Sequence, residues 1–428
     1  MTDFLTVATH IGNRLCRDAI WHEDRCNWFG ASMEPLQGRW MPAMRSFGAS
    51  LYDGTAGIGL FLSCLHRRTG DALFRHTAAG AFANSHRQFD PAAGGFYSGG
   101  FGIGWALAHG GRAMGDDALV TQGLALVNLM LAREEHTSGF DVTGGDAGVV
   151  GPLLDLHALM GGAQLFDGAV RAGERLFASA SRRDEGWSWS MPPSGATGSR
   201  DLCGLAHGAS GAGWAFTELY AATGEARYRD GARQAFRYEQ HWFVPAQDNW
   251  PDLREGVFAT GGDPATAPCP QAWCHGAPGI GLTRLRALEV FGEEHRPEAL
   301  AAIRATTRGL QTMGDAASSF CLCHGMAGNA ELLLYASRAI DRSHAALASQ
   351  VGELGQRKYD ASGGQWPCGV LNGGETPNLM LGLAGIGLFY LRLSGAEGVP
   401  LVLLPAPAQH VRRDRSESGF PANGHDMG

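Results

Sequence analysis

The sequence predicts an all-α fold, an α/α toroid with seven inner and seven outer helices, from three observations. A Gly-x-x-Gly motif recurs seven times, an apolar helix-like stretch follows each copy, and the segments between copies carry their own apolar period of about 3.6 residues. Glycine supplies 63 of the 428 residues, roughly double its ordinary share of about 7%, with no collagen period to account for the excess. The glycines therefore have positional work.

The copies are GTAGIG at Gly54, GGFGIG at Gly99, GDAGVV at Gly145, GASGAG at Gly208, GAPGIG at Gly276, GMAGNA at Gly325 and GLAGIG at Gly382. Their starts are 45, 46, 63, 68, 49 and 57 residues apart, which suits one helical pair per repeat with loops of varied length. Each motif opens a helix, from GLFLSCLHRR in the first repeat to GLFYLRL in the last. Stretches such as PEALAAIRATTRGLQTM from Pro297 supply the second helix of a pair. Glycine at the start of each motif helix allows a sharp turn and a close backbone approach at a crowded centre. Residues 51–408 form the toroid on this basis, with an open helical solenoid as the plainer alternative. Residues 1–50 carry a helix in IGNRLCRDAIW and then aromatic-rich loops, expected to pack on the toroid. Residues 409–428 have little to bury and are expected to form a flexible tail.

Composition excludes several classes. Acidic groups outnumber basic ones by 42 to 34, and no Lys/Arg stripe tracks a phosphate backbone, so no nucleic-acid partner is expected. The first residues lack the basic start and apolar run of a secretion signal, and runs such as VLLPAPA from Val402 are too short to span a bilayer. A cytoplasmic protein without integral membrane association is expected. Nine cysteines, an odd number, argue against a complete disulfide framework and for buried thiols or metal ligands. GxxGxG also differs from the dinucleotide fingerprint GxGxxG and lacks the strand that should precede it.

Three motifs have histidine directly before the first glycine, and two of those have cysteine before the histidine: His207, Cys274 with His275, and Cys323 with His324. Inner helices starting around one rim would bring these distant positions together. Thiolate and imidazole donors favour zinc, and three protein ligands would leave one position open. Two cysteines and a histidine fit that set, but periodicity alone does not choose between His275 and His324, nor exclude Cys203, Cys269 or Cys321. Asp146 in GGDAG is read as a backbone cap rather than a ligand, and Asp53 as a turn residue.

At this point the chain resembles the LanC-like family of lanthionine synthetase cyclases. The likeness rests on FDVTGGDAG at Phe140, GLAHGASGAG at Gly204, AWCHGAPGIG at Ala272, CLCHGMAGNAE at Cys321 and PNLMLGLAGIGLFYLRL at Pro377, and spans roughly residues 10–405. Its motifs look closest to the cyclase domain of the bifunctional synthetases. The resemblance implies one Zn2+ held by Cys274, Cys323 and His324, with an open fourth position for a substrate thiolate or water. It implies active-site roles for His207 and Asp141, and an acid/base or substrate-binding role for His275, which stands where a stand-alone member has tyrosine. That member also has arginine where this chain has Pro270, and Arg284 is a candidate to replace it.

The implied reaction is Michael-type addition of a peptide cysteine thiol to dehydroalanine or dehydrobutyrine, forming (methyl)lanthionine. His207 is the first candidate to protonate the α carbon and His275 the second, with Asp141 orienting the imidazole. The expected partners are a dehydrated precursor peptide and a separate dehydratase, since no upstream domain large enough for dehydration is visible in the sequence. Alternatives are a LanC-like protein that binds a peptide or synthase without cyclising it, and addition of a non-peptide thiol such as glutathione. A zinc prenyltransferase would need convergent basic residues for a diphosphate, and a glycosidase a committed acid pair; neither is visible.

Overall fold

A computed structural model describes residues 3–407 except 37–38, 134–136, 138, 191–199, 255–256, 258–265 and 314–317. The tail expected at 409–428 lies outside the described residues.

Among the described residues the seven motif helices are α2 (Thr55–Thr69), α4 (Gly100–Met114), α6 (Asp146–Met160), α8 (Ala209–Thr223), α10 (Ala277–Phe291), α12 (Met326–Ala339) and α14 (Leu383–Leu393). Each is capped by the first glycine of its motif. Each packs on the next, and α14 packs back on α2, closing the ring. Outside them lie α3 (Ala72–Gln88), α5 (Asp117–Leu131), α7 (Ala163–Ser179), α9 (Ala226–Trp242), α11 (Arg296–Met313) and α13 (His344–Gly355). The seventh outer helix is α1 (Phe4–Arg17), which packs against α14. Asp3 caps α1 through a bond from Leu5 N at 3.1 Å, and its apolar stripe of Val7, Ile11 and Leu15 is buried. The last pair is thus made from the two ends of the chain. A local repeat search misses it, because its outer helix precedes the first motif.

The aromatic-rich segment after α1 is not loop alone. It forms two hairpins, β1 (Ile20–His22) with β2 (Arg25–Asn27) and β3 (Phe29–Leu36) with β4 (Arg39–Ser46), the latter in register Phe29 to Ser46. A third small hairpin, β5 (Ser181–Arg183) with β6 (Gly186–Ser188), follows α7. Among the described residues no helix is long and apolar enough to cross a membrane. The run at Val402 is core instead: Val402, Leu403 and Leu404 are buried within the inner ring. Tyr97 Oη donates to Val402 O at 2.5 Å and Trp273 Nε1 to Leu403 O at 2.8 Å.

The second motif glycine has a steric reason. A Cβ on Gly57, Gly102, Gly148, Gly211, Gly279, Gly328 or Gly385 would fall 1.6–2.6 Å from the carbonyl oxygen six residues earlier. That carbonyl belongs in every repeat to a buried apolar residue three before the cap glycine, such as Trp273 or Leu322. The backbone folds back onto the first helical turn, and no side chain fits between. Gly328→Ala, which would place its methyl 1.8 Å from Leu322 O, is expected to cost about 3 kcal/mol or more, because backbone must move rather than a side-chain tip. Denaturant melts check this.

The same fold-back builds a closed circle of backbone bonds around the rim. Val142 N donates to Ala206 O at 2.9 Å, Ala206 N to Cys274 O at 3.3 Å and Trp273 N to Cys323 O at 2.9 Å. The circle continues from Cys323 N to Met380 O, Met380 N to Tyr52 O and Tyr52 N to Tyr97 O, each 2.9 Å, and closes from Tyr97 N to Thr143 O at 3.0 Å. Residues two before the cap glycine in all seven repeats therefore sit on one belt. Its bonds use main-chain groups that would otherwise be orphaned at a helix-rich rim.

Candidate metal centre and acid–base pair

Cys274 and Cys323 are stations on that belt, and His207, His275 and His324 each lie one residue beyond a station. The two sulfurs stand beside each other: Cys323, as hydrogen-bonding neighbour, holds the Cys274 thiol down to about 7, helped by the charges of His324, His207 and Arg254, while Cys323 is pushed up. Cys274 is partly accessible and Cys323 buried. Gly276 allows the turn between Cys274 and its helix, with φ +89°, and a bridge from Gln271 to Gly276 closes it.

His324 is accessible, but its ring lies against Cys321. A Cβ on Gly369 would be 2.8 Å from Cys321 Sγ and 3.0 Å from His324 Nε2, so both crowd the same bare glycine. Hydrogen bonding to Cys321 pushes His324 up to about 9. Among the described residues, no group of three or more His, Cys, Asp or Glu side chains is gathered so as to hold a metal ion. Cys274 and Cys323 are brought together; the third expected donor is on the same rim with its ring engaged by a neighbouring thiol. Soft sulfur and imidazole on adjacent stations nonetheless suit zinc in kind.

Asp141 and His207 form a tight pair, Oδ2 to Nδ1 at 2.7 Å. Asp141 Oδ1 accepts from Gly144 N at 2.8 Å and Gly145 N at 3.0 Å, and Thr143 Oγ1 donates to Oδ2 at 2.8 Å. Burial opposes ionisation of Asp141, but the bonds from His207, Gly144 and Thr143 outweigh it and keep the carboxyl below its ordinary range. The Asp141 side chain is 6% exposed and that of His207 31%, so the dyad opens outward through the imidazole. A depressed carboxyl stabilises the fold above its unfolded value and loses that contribution as pH falls through its folded value. Asp141→Asn is therefore expected to melt below wild type at neutral pH, with the gap narrowing below the ordinary aspartate value of 3.8.

His275 is buried, its ring centroid 5.7 Å from that of His207, and burial first, then Arg254, holds it down to about 4. It is a neutral imidazole at neutral pH. Asp146 is not the backbone cap expected: it receives Thr137 Oγ1 at 2.8 Å and Arg175 Nη2 at 2.6 Å, tying α6 to the following outer helix. Asp53 does lie in a turn, receiving Ser50 Oγ at 2.7 Å.

Arg284 is not a substitute for the missing arginine. It is fully buried, pairs with Glu239 at 2.8 Å and with Glu298, and lies 3.9 Å over the Phe236 ring. Glu239 in turn receives Gly204 N at 2.8 Å and Ser210 N at 3.0 Å, fixing the loop that carries His207. A guanidinium that does lie within electrostatic reach of Cys274 is that of Arg254, which sequence reasoning missed. It is held by Asp252, whose own main chain is anchored by Asp252 N to Pro268 O at 2.9 Å. Arg254 bears electrostatically on Cys274, Cys323 and His275. Thr143 was missed too, although it stands two residues before a cap glycine, as both motif cysteines do.

The family description "Lanthionine synthetase C-like protein" matches residues 45–404. Among solved structures, nisin cyclase is similar with a TM-score of 0.59 at 17% identity, covering 84% of this chain and 93% of that one. A GH76 α-mannanase from Bacteroides thetaiotaomicron is similar with a TM-score of 0.52 at 9% identity, covering 92% and 96%. At such identities the structural likenesses bear on fold alone.

Proposed function

The chain belongs to the lanthionine synthetase C-like family, and from that membership we propose that it is a zinc-dependent lanthipeptide cyclase, closing (methyl)lanthionine rings on a dehydrated precursor peptide. The observation that carries the proposal is the juxtaposition, on one belt, of paired cysteine sulfurs with an outward-opening His–Asp dyad. Cys274, Cys323 and His324 would hold the ion. Zinc at that donor set supplies a Lewis acid that makes an incoming thiol acidic near neutral pH.

The remaining work belongs to the protein. His207, oriented by Asp141, delivers a proton to the α carbon once the substrate sulfur has bonded to the β carbon and the double bond has shifted to an enolate. The thiol proton is lost and one is gained at carbon, so substrate and product have equal mass. His275, neutral and buried, lines the site beside His207 and offers a hydrogen bond rather than a charge. Arg254 adds positive charge where the enolate develops. The proposed setting is the cytoplasm, with a separate dehydratase supplying the substrate.

The test is to incubate the zinc-loaded protein with a dehydrated cysteine peptide and follow free thiol and ring connectivity. Thiol loss with thioether cross-links is expected. Persistence of every thiol, with zinc and substrate both verified, favours a protein that binds the peptide without cyclising it, and cross-linking of added glutathione instead favours a non-peptide thiol.

A further inference from the structure

All seven inner helices start at the rim, so their C-terminal ends gather at the opposite mouth of the toroid. Three arginines stand there, Arg67 in the last turn of α2, Arg338 in that of α12 and Arg392 in that of α14. A cavity of about 240 Å³ opens at this mouth, lined by Arg338, Arg392 and the turn from Gly395 to Val399. Two glycines give the turn its shape, Gly395 at φ +74° and Gly398 at φ +69°. The Arg67 guanidinium lies against it, since a Cβ on Gly398 would stand 2.6 Å from Arg67 Nη1. We propose that this mouth binds a phosphate-type oxyanion, held between Arg338, Arg392 and the main-chain N–H groups of the turn.

The site is independent of the zinc reading and lies at the other end of the molecule. Arg392 is only 9% exposed and is fixed in place: Nε donates to both Glu331 carboxylate oxygens at 2.9 Å, and Nη1 to Val399 O at 3.0 Å. Among the described residues its Nη2 has no partner, and Arg67 and Arg338 make no hydrogen bond or ion pair. Nor does the main-chain N–H of any residue from 396 to 399. Glu397 is the one carboxylate lining the cavity, so three guanidiniums face two carboxylates, Glu331 and Glu397, and the mouth stays positive. Guanidinium forks beside a glycine-shaped turn with unengaged N–H groups suit a tetrahedral oxyanion. Offsetting the negative ends of their helices would account for the arginine charges alone, not for the cavity or the unengaged turn.

The test is calorimetric titration of the full chain with inorganic phosphate at low ionic strength. One saturable site is expected, with acetate binding more weakly because a carboxylate offers fewer acceptor oxygens. Arg338→Gln is expected to weaken phosphate binding about tenfold or more. Its melting temperature is expected to hold, because Arg338 supports no bond within the fold. Glu397→Gln is expected to tighten binding by removing the carboxylate that repels the ion. Arg254→Gln, which removes the same charge at the rim, is expected to leave it unchanged. Absence of a saturable site overturns the proposal. Equal weakening by Arg338→Gln and Arg254→Gln overturns it too, since that marks attraction to the protein's charge at large.

Discussion

Cys323→Ala is expected to weaken zinc binding at least a hundredfold and to abolish cyclisation while leaving the toroid folded. Sites of this kind bind zinc with about 10–16 kcal/mol in total, so removing one ligand sulfur forfeits about 3 kcal/mol or more. The fold survives because residue 323 serves it through its main chain: Cys323 N bonds Met380 O and Cys323 O receives Trp273 N, each at 2.9 Å. Alanine keeps both bonds. The side-chain loss itself creates a small cavity worth about 1 kcal/mol. Metal analysis after gel filtration, run beside a thermal melt, checks both halves. Stoichiometric zinc in C323A would place the ion elsewhere.

His207→Asn is expected to lower turnover by about 10^2–10^4, the usual worth of a positioned general acid, with zinc content unchanged. The imidazole is not a belt atom, and its partner Asp141 keeps its bonds from Gly144 N and Gly145 N without it. In turnover assays the His207 variant should still bind the dehydrated peptide and still carry metal. Loss of zinc in His207→Asn would assign the histidine to the metal instead. The contrast between the two variants separates ligand from acid: one loses the ion, the other loses the proton transfer.

The glycine register made most of this architecture legible. Seven cap glycines were visible as a spacing, and the structure turns each into the first residue before an inner helix. What the spacing could not reveal was the partner of the last one, because α1 pairs with α14 across the whole length of the chain. Nor could it reveal that the apolar run at Val402 fills the ring interior, since a short apolar run bears no mark of where it is buried. The cysteines and histidines were legible because they repeat in register. Thr143 shares the same offset from a cap glycine, and a search by offset rather than residue type would have found it. Arg254 and Asp252 had no such signal: they reach the site through the pairing of residues 249–252 with 268–270, a contact only the folded chain makes. His324 shows the opposite case, a residue placed by its motif whose ring direction depends on Cys321 and Gly369.

The proposed centre is a zinc ion held by two protein sulfurs and one imidazole with room for an incoming sulfur. Zinc-edge X-ray absorption on the full chain, before and after adding an undehydrated cysteine peptide that cannot react, measures this directly. Two sulfur neighbours rising to three are expected. Four protein donors at the outset, with no change on adding the peptide, would contradict it.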